Sequence, residues 1–171
     1  MEAPPDPLGE LQALYDRALP QVYGYLLPRC GDAALAEDLT AETFLAAVDA
    51  LRRDRVDDLT VAWLVTVARN KLVDHWRRLE RDRRRQDQLE AGAELVDDPW
   101  DVQLDATLAN DVLALLGPHH RSALTLRYLD GLPVPEVATH LDRTVHATEA
   151  LLVRARAAFR RTYESRGGDR D

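Results

Sequence analysis

Cysteine is nearly absent: Cys30 is the one cysteine in 171 residues. That excludes a disulfide within the chain and a zinc site built on cysteine thiolates. Aromatic residues make up 6%, and there are only 8 glycines and 9 prolines. Few turn formers against many Ala, Leu, Val and Arg residues predict a mostly helical protein. No apolar run approaches the roughly 18 residues that span a bilayer, so no membrane insertion is expected. The opening stretch MEAPPDPLGE is acidic and proline-rich, unlike a signal or transit peptide, which makes a reducing cytoplasm the expected location. The five histidines have neither metal-ligand spacing nor cysteine partners. A glycine-rich phosphate loop, a nucleophile elbow and a Ser/His/Asp order are all missing. Nothing points to catalysis, a cofactor or a small-molecule substrate.

The chain is 46% hydrophobic, enough for a core, and its length suits one ordinary domain or two small ones. Its net charge of −8 argues, as an average, against a nucleic-acid binder. The average hides blocks. Residues 1–50 carry net −7, 51–85 net +5, 86–115 net −8 and 116–171 net +2. Segregation of this kind suggests separate interaction surfaces, although solvated helix faces also produce charge runs.

Periodicity predicts the elements. Residues 1–9 read as a disordered lead. From Glu10 to Arg29, Leu11, Leu14, Tyr15, Ala18, Val22, Tyr25 and Leu26 recur at helical spacing, and Pro20 is expected to kink or break that helix. A Gly31-Asp32 turn precedes a helix over 33–52 with Leu35, Leu39, Phe44, Ala47, Val48 and Leu51 toward a core. After a polar loop at 53–59, a long helix runs from about Thr60 to Arg85. Its expected buried face is Val61, Val65, Ala68, Leu72, Trp76 and Leu79. Residues 86–105 are acidic, contain Pro99 and read as a flexible linker. Helices then follow over 107–116, 119–129 and 134–141. After a tight turn at Asp142-Arg143-Thr144, the last helix runs to about Tyr163 with Thr144 as its N-cap. A short helix, a three-residue turn and a longer helix form a helix-turn-helix. The expected fold is all-α: a helical bundle at 10–85 and a helix-turn-helix domain at 106–165, joined by 86–105, with a disordered tail at 166–171.

Three faces could carry chemistry. On the long helix, Asn70, Asp74, Arg77 and Arg81 lie opposite the buried side, flanked by Arg69, Lys71 and Arg78. Residues 69–85 hold eight bases against three acids. Such a face can neutralise phosphates, and its asparagine can bond base edges. Trp63 and Trp76 either stack on unpaired bases or belong to the core. On the helix at 33–52, Asp38, Glu42 and Asp49 form an acidic stripe suited to a basic protein surface. On the last helix, Leu152, Ala155 and Phe159 point inward, and Arg154, Arg156, Arg160 and Arg161 point largely outward.

These segments resemble a known family. AEDLTAETFLAAV at 36–48 resembles the core-polymerase-binding segment of bacterial sigma factors. WLVTVARNKLVDHWRR at 63–78 resembles the part of region 2 that reads the −10 promoter element. Residues 124–159, from LTLRYLDGLPVPEVATHL to VHATEALLVRARAAF, resemble region 4, which reads the −35 element. Their order and the intervening linker are similar to the extracytoplasmic-function (ECF) group, over roughly residues 10–164. The resemblance implies a non-enzymatic promoter-recognition subunit that needs no cofactor. Its implied partners are core RNA polymerase (β′ clamp helices and β flap), promoter DNA and an anti-sigma factor. It places Asp38, Leu39, Glu42, Phe44 and Leu45 at the polymerase clamp. It places Trp63, Arg69, Asn70, Lys71, Asp74, Arg77 and Arg78 at the −10 strand, with Asn70 helping to hold a flipped base and the 53–59 loop building the rest of that pocket. It places Arg127, Glu149, Ala150, Val153 and Arg154 at the −35 element, with Arg127 on a phosphate.

Two departures stand out. Ala41 occupies a position where glutamine is usual. Residues 149–151 are Glu-Ala-Leu where many members carry a basic residue, a serine and an arginine. Glu149 cannot pair with guanine or phosphate but can accept from cytosine N4. Two other readings compete. In one, the chain is a helix-turn-helix regulator whose N-terminal helices dimerise or sense; in the other, it is a helical interaction protein with no nucleic-acid role. A pull-down with core polymerase separates the first from a sigma factor. Replacing Arg77, Arg78 and Arg154 by Ala tests the second.

Overall fold

The computed structural model describes residues 7–53, 59–86 and 104–167. Every regular element among them is helical: α1 (Pro7–Cys30), α2 (Ala33–Arg52), α3 (Val61–Gln86), α4 (Ala106–Leu115), α5 (Pro118–Leu124), a π-helical turn (Thr125–Leu129), α6 (Val134–His140) and α7 (Val145–Gly167). Most of the 53–59 loop and of the 86–105 linker, the first six residues and the last four lie outside the described residues.

Helix α1 is not broken at Pro20; it runs on through both Pro20 and Pro28. Pro20 is exposed, so the carbonyl that loses its hydrogen bond can be solvated. Meanwhile Leu14, Ala18, Val22 and Leu26 on the opposite side are buried and hold both halves in one line. Gly31 ends the helix in the left-handed region (φ 67°), a conformation that costs glycine little. Asp32 then caps α2, its carboxylate accepting from the Ala34 and Leu35 amides at 2.8 and 3.4 Å.

The buried stripe of α2 is Ala36, Leu39, Thr40, Thr43, Ala47 and Ala50. It is rotated from the expected one. Phe44 and Val48 are half-buried, and Leu51 faces solvent. Two threonines enter the interior because their hydroxyls donate to the Ala36 and Leu39 carbonyls, each at 2.7 Å, which satisfies the polar atom without an outside partner. In α3 the fully buried residues are Leu64, Ala68, Leu72, Val73 and Trp76. Leu79, expected inside, is 43% exposed.

The chain forms two compact units that divide inside α3, at Leu72/Val73. The first comprises α1, α2 and the start of α3. The second adds the rest of α3 to α4–α7. Its core joins Val73 to Leu108, Val112, Ala123, Leu124, Leu126, Val137, Leu141, Leu151, Leu152, Ala155 and Phe159. The expected helix over 119–129 is α5 followed by a π-helical turn, in which the Asp130 amide donates to the Thr125 carbonyl at 3.0 Å. Gly131 (φ 68°) and Asp142 (φ 52°) take left-handed conformations at the two bends around α6. Among the described residues no helix is long and apolar enough to cross a membrane.

Candidate functional site

In the first unit, α2 presents Asp38, Glu42, Leu45 and Asp49 at steps of four, three and four, which places them on one helix face. All four are exposed, and Leu45, at 68%, is an apolar knob between carboxylates. Asp49 is bridged by Arg53 at 2.9 Å. Phe44 is half-buried with its ring 4.7 Å from that of Tyr15, so it braces α2 against α1. Leu39 is 2% exposed and belongs to the interior. Any part it plays in docking is to support the face from below.

The N-terminus of α3 is capped by Thr60, whose hydroxyl accepts from the Trp63 amide at 3.1 Å. Trp63 is half-buried and Asn70 exposed. Arg69 is half-buried, and its Nε is buried. Lys71 lies 3.8 Å from Glu42, so the acidic face of α2 and the basic side of α3 meet at this pair. Both side chains are open to water, and the attraction is correspondingly weak.

In the second unit, Trp76 is 3% exposed, which makes it core rather than a stacking platform. The Arg121 guanidinium lies 5.7 Å from its ring centre. Arg77 sits between two carboxylates, 3.7 Å from Asp74 and 3.3 Å from Asp142, and donates a hydrogen bond to the latter. Arg78 and Arg81 are exposed. Glu80 accepts from Arg84 at 3.1 Å and lies 3.0 Å from Nδ1 of His119. Burial lowers the pKa of His119, with Glu80 opposing the shift. Its neighbour His120 is pushed down to about 4, chiefly by burial and then by His119 and Arg154.

Within the helix-turn-helix, Thr144 caps α7 by accepting from the Ala147 amide at 3.1 Å. The amide of Arg143 donates to the Ala138 carbonyl at 3.0 Å, which closes the turn between α6 and α7. Arg127 is half-buried and donates to the Leu132 carbonyl at 3.1 Å, so its guanidinium braces the bend after the π-helical turn. Arg156 donates to the Tyr128 hydroxyl at 3.3 Å. On α7, Glu149 is exposed, and Ala150, Val153 and Arg154 are half-buried. The buried set Thr148, Leu151, Leu152, Ala155 and Phe159 fixes which side of α7 faces out. That side also carries His146, exposed in the first turn of α7, where its sequence spacing gives no sign of a metal ligand. Its signal was its phase: it stands three residues before Glu149 and four before Ala150.

The exposed face of α2 is thus acidic, and that of α3 polar and basic around Asn70, Lys71, Arg78 and Arg81. A description as Sigma-70 region 2 fits residues 14–82, and one as Sigma-70, region 4 fits residues 109–159. The chain is 34% identical over 167 residues to the ECF RNA polymerase sigma factor SigL of Mycobacterium tuberculosis, covering 92% of this chain and 90% of that one. This chain belongs to the ECF sigma factors. It is also 36% identical over 154 residues to the ECF sigma factor BldN of Streptomyces coelicolor, where the match covers 83% of this chain and 56% of the relative. The fold is shared with the sigma factor RpoE of Bartonella quintana, solved in complex with the anti-sigma factor NepR. The TM-score is 0.54 at 19% identity, over 91% of this chain and 97% of that one. As an ECF sigma factor the chain serves transcription initiation as an alternative sigma factor.

Proposed function

We propose that the face Asp38–Glu42–Leu45 docks on core RNA polymerase and that the adjoining face of α3 engages the −10 element. The observation that carries this reading is the pairing of two exposed faces of opposite character in one small unit. An acidic stripe on α2 surrounds a bare leucine, and Asn70 is exposed on α3 beside Lys71. A carboxylate stripe with an apolar centre suits a basic groove on a protein: the charges steer and the leucine anchors. An asparagine free to turn its amide both ways suits a base edge. Opening the −10 duplex costs a few kcal/mol for each unstacked base, which capture of the flipped base offsets. Arg69, Lys71, Arg77 and Arg78 hold the strand through its phosphates, Trp63 borders it, and Asp74 orients Arg77 from 3.7 Å.

Region 4 places the first turns of α7 in the −35 groove, with Arg154 at the flank. Arg127 acts by holding the bend that presents α7. The β flap receives region 4, and cytoplasmic polymerase carries the factor to DNA. The RpoE relative is held by an anti-sigma factor, and a regulator of that class is the proposed inhibitory partner here.

The deciding experiment is run-off transcription with core polymerase over a pooled promoter library, together with a pull-down. The wild-type chain is expected to associate stoichiometrically and to select promoters with defined −10 and −35 elements. Asp38→Arg with Glu42→Arg is expected to abolish association. Unimpaired binding by that double variant would refute the docking face.

A further inference from the structure

The outward side of the first two turns of α7 has little positive charge of its own. Val145, His146 and Glu149 are exposed, and Ala150 and Val153 lie between them and the buried side. Among the described residues, no hydrogen bond or ion pair engages the side chain of His146 or of Glu149. A residue that reads bases must keep its polar atoms free, and these two do. Ala150 and Val153 are small, so the helix backbone can sink toward the floor of a major groove. Thr144 holds the start of the helix in register, through its hydroxyl on the Ala147 amide and its carbonyl on the Thr148 amide at 3.0 Å.

We propose that His146 and Glu149 act as a pair that selects one C·G base pair in the −35 element. The inference rests on the reading of α7 as the −35 helix and adds which bases it chooses. Residues three apart on a helix face carry their Cβ atoms about 5–6 Å apart. That separation lets two side chains reach the two bases of one pair. Glu149 is acceptor-only as a carboxylate, and cytosine N4 is the amine that a C·G pair offers in the major groove. His146, with one ring N–H, donates to O6 or N7 of the partner guanine. The pair is complementary: one acceptor for the amine, one donor for the acceptors.

Glu149 also excludes. A carboxylate facing guanine O6 and N7, or thymine O4, meets acceptor against acceptor in a groove walled by phosphates. Wrong sequences are therefore repelled as well as unrewarded. Adenine N6 is the other exocyclic amine a carboxylate could accept from, but its thymine partner offers the His146 donor only O4 beside the C5-methyl, where guanine offers both O6 and N7.

The test uses holoenzyme assembled from core polymerase and the full-length chain, on promoters with a randomised −35 region and a fixed −10 element. Transcripts are counted for wild type, Glu149→Ala, Glu149→Gln and His146→Ala. Wild type is expected to prefer C·G at one −35 position by about fivefold to a hundredfold, the range of one good base contact. Glu149→Ala should flatten that position alone and raise transcription from the mismatched promoters several-fold, a gain that loss of a merely structural residue would not give. Glu149→Gln, able to donate as well as accept, should shift the preference toward A·T. His146→Ala should weaken the C·G preference and leave the other positions unchanged. An unchanged base profile in Glu149→Ala, a uniform loss across the library, or a wild-type preference for A·T at that position would overturn the inference. A wild-type holoenzyme that transcribes with no −35 dependence would overturn the reading of α7 itself.

Discussion

Asn70 and His120 show how differently single residues are used here. Asn70 is exposed on α3 and contributes little to the core, so its loss should be felt in function alone. Asn70→Ala is expected to cut run-off transcription from a selected promoter about tenfold, the cost of one lost base contact, with association to core polymerase unchanged. Equal loss of both would remove its assigned role. His120 is a stability residue. Its folded pKa of about 4 lies below the ordinary 6.5, because burial and the neighbouring His119, Arg154 and Arg83 disfavour the cation while Glu80 only partly opposes them. Between pH 6.5 and 4 the unfolded chain binds a proton that the folded chain refuses. The contribution of His120 is therefore full above pH 6.5 and is lost as the pH falls toward 4. Urea midpoints measured from pH 7 to 4.5 should decline, and His120→Gln should flatten part of that decline.

Among the elements, α1 and α7 make the sharpest predictions. Proline inside a helix costs about 3 kcal/mol, and α1 carries Pro20 at an exposed position. Pro20→Ala restores a backbone donor and gives back some freedom to the unfolded chain, for a net gain of about 2 kcal/mol in the first unit. Denaturant unfolding followed on α1 and α2 measures it. At α7 the Thr144 cap satisfies an amide that the helix cannot. Thr144→Ala should cost about 1 kcal/mol, while Thr144→Ser should retain most of the stability. Because that cap also sets the first turn of α7, Thr144→Ala is expected to weaken −35 discrimination more than −10 recognition in a promoter library randomised at both elements.

At the scale of the whole molecule, the division inside α3 is the feature to test. Phe159 is 3% exposed in the core of the second unit, with its ring 5.8 Å from that of Tyr163. Phe159→Ala should cost about 3–5 kcal/mol. In hydrogen exchange, protection should fall across α4–α7 and also across Val73–Leu79, since Val73 belongs to the same core, while α1 and α2 keep theirs. Protection of Val73–Leu79 that stayed with α1 and α2 would move the boundary to the end of α3. The charge blocks also act at this scale. The final block is only +2, so region 4 is expected to bind isolated DNA weakly and to depend on polymerase for delivery.

The helices and their order are legible in the sequence, because apolar spacing, Gly31, Asp32 and Thr144 are local signals that short-range physics obeys. So are the family, through three segments in fixed order, and the acidic face of α2. Phase and contacts came from the packed fold. It turned Thr40 and Thr43 inward, where back-bonding to their own helix satisfies them, and left Leu51 and Leu79 exposed. It carried α1 through Pro20, since burial along one side outweighed a break on the other. It assigned Trp76 to the core, Leu39 to the interior and Arg127 to a carbonyl. It also brought His146 and Glu149 out together at the head of α7. Periodicity gives a helix its stripe; which residues at the edge of the stripe are covered depends on the packing of distant segments, and that information is absent from any local window.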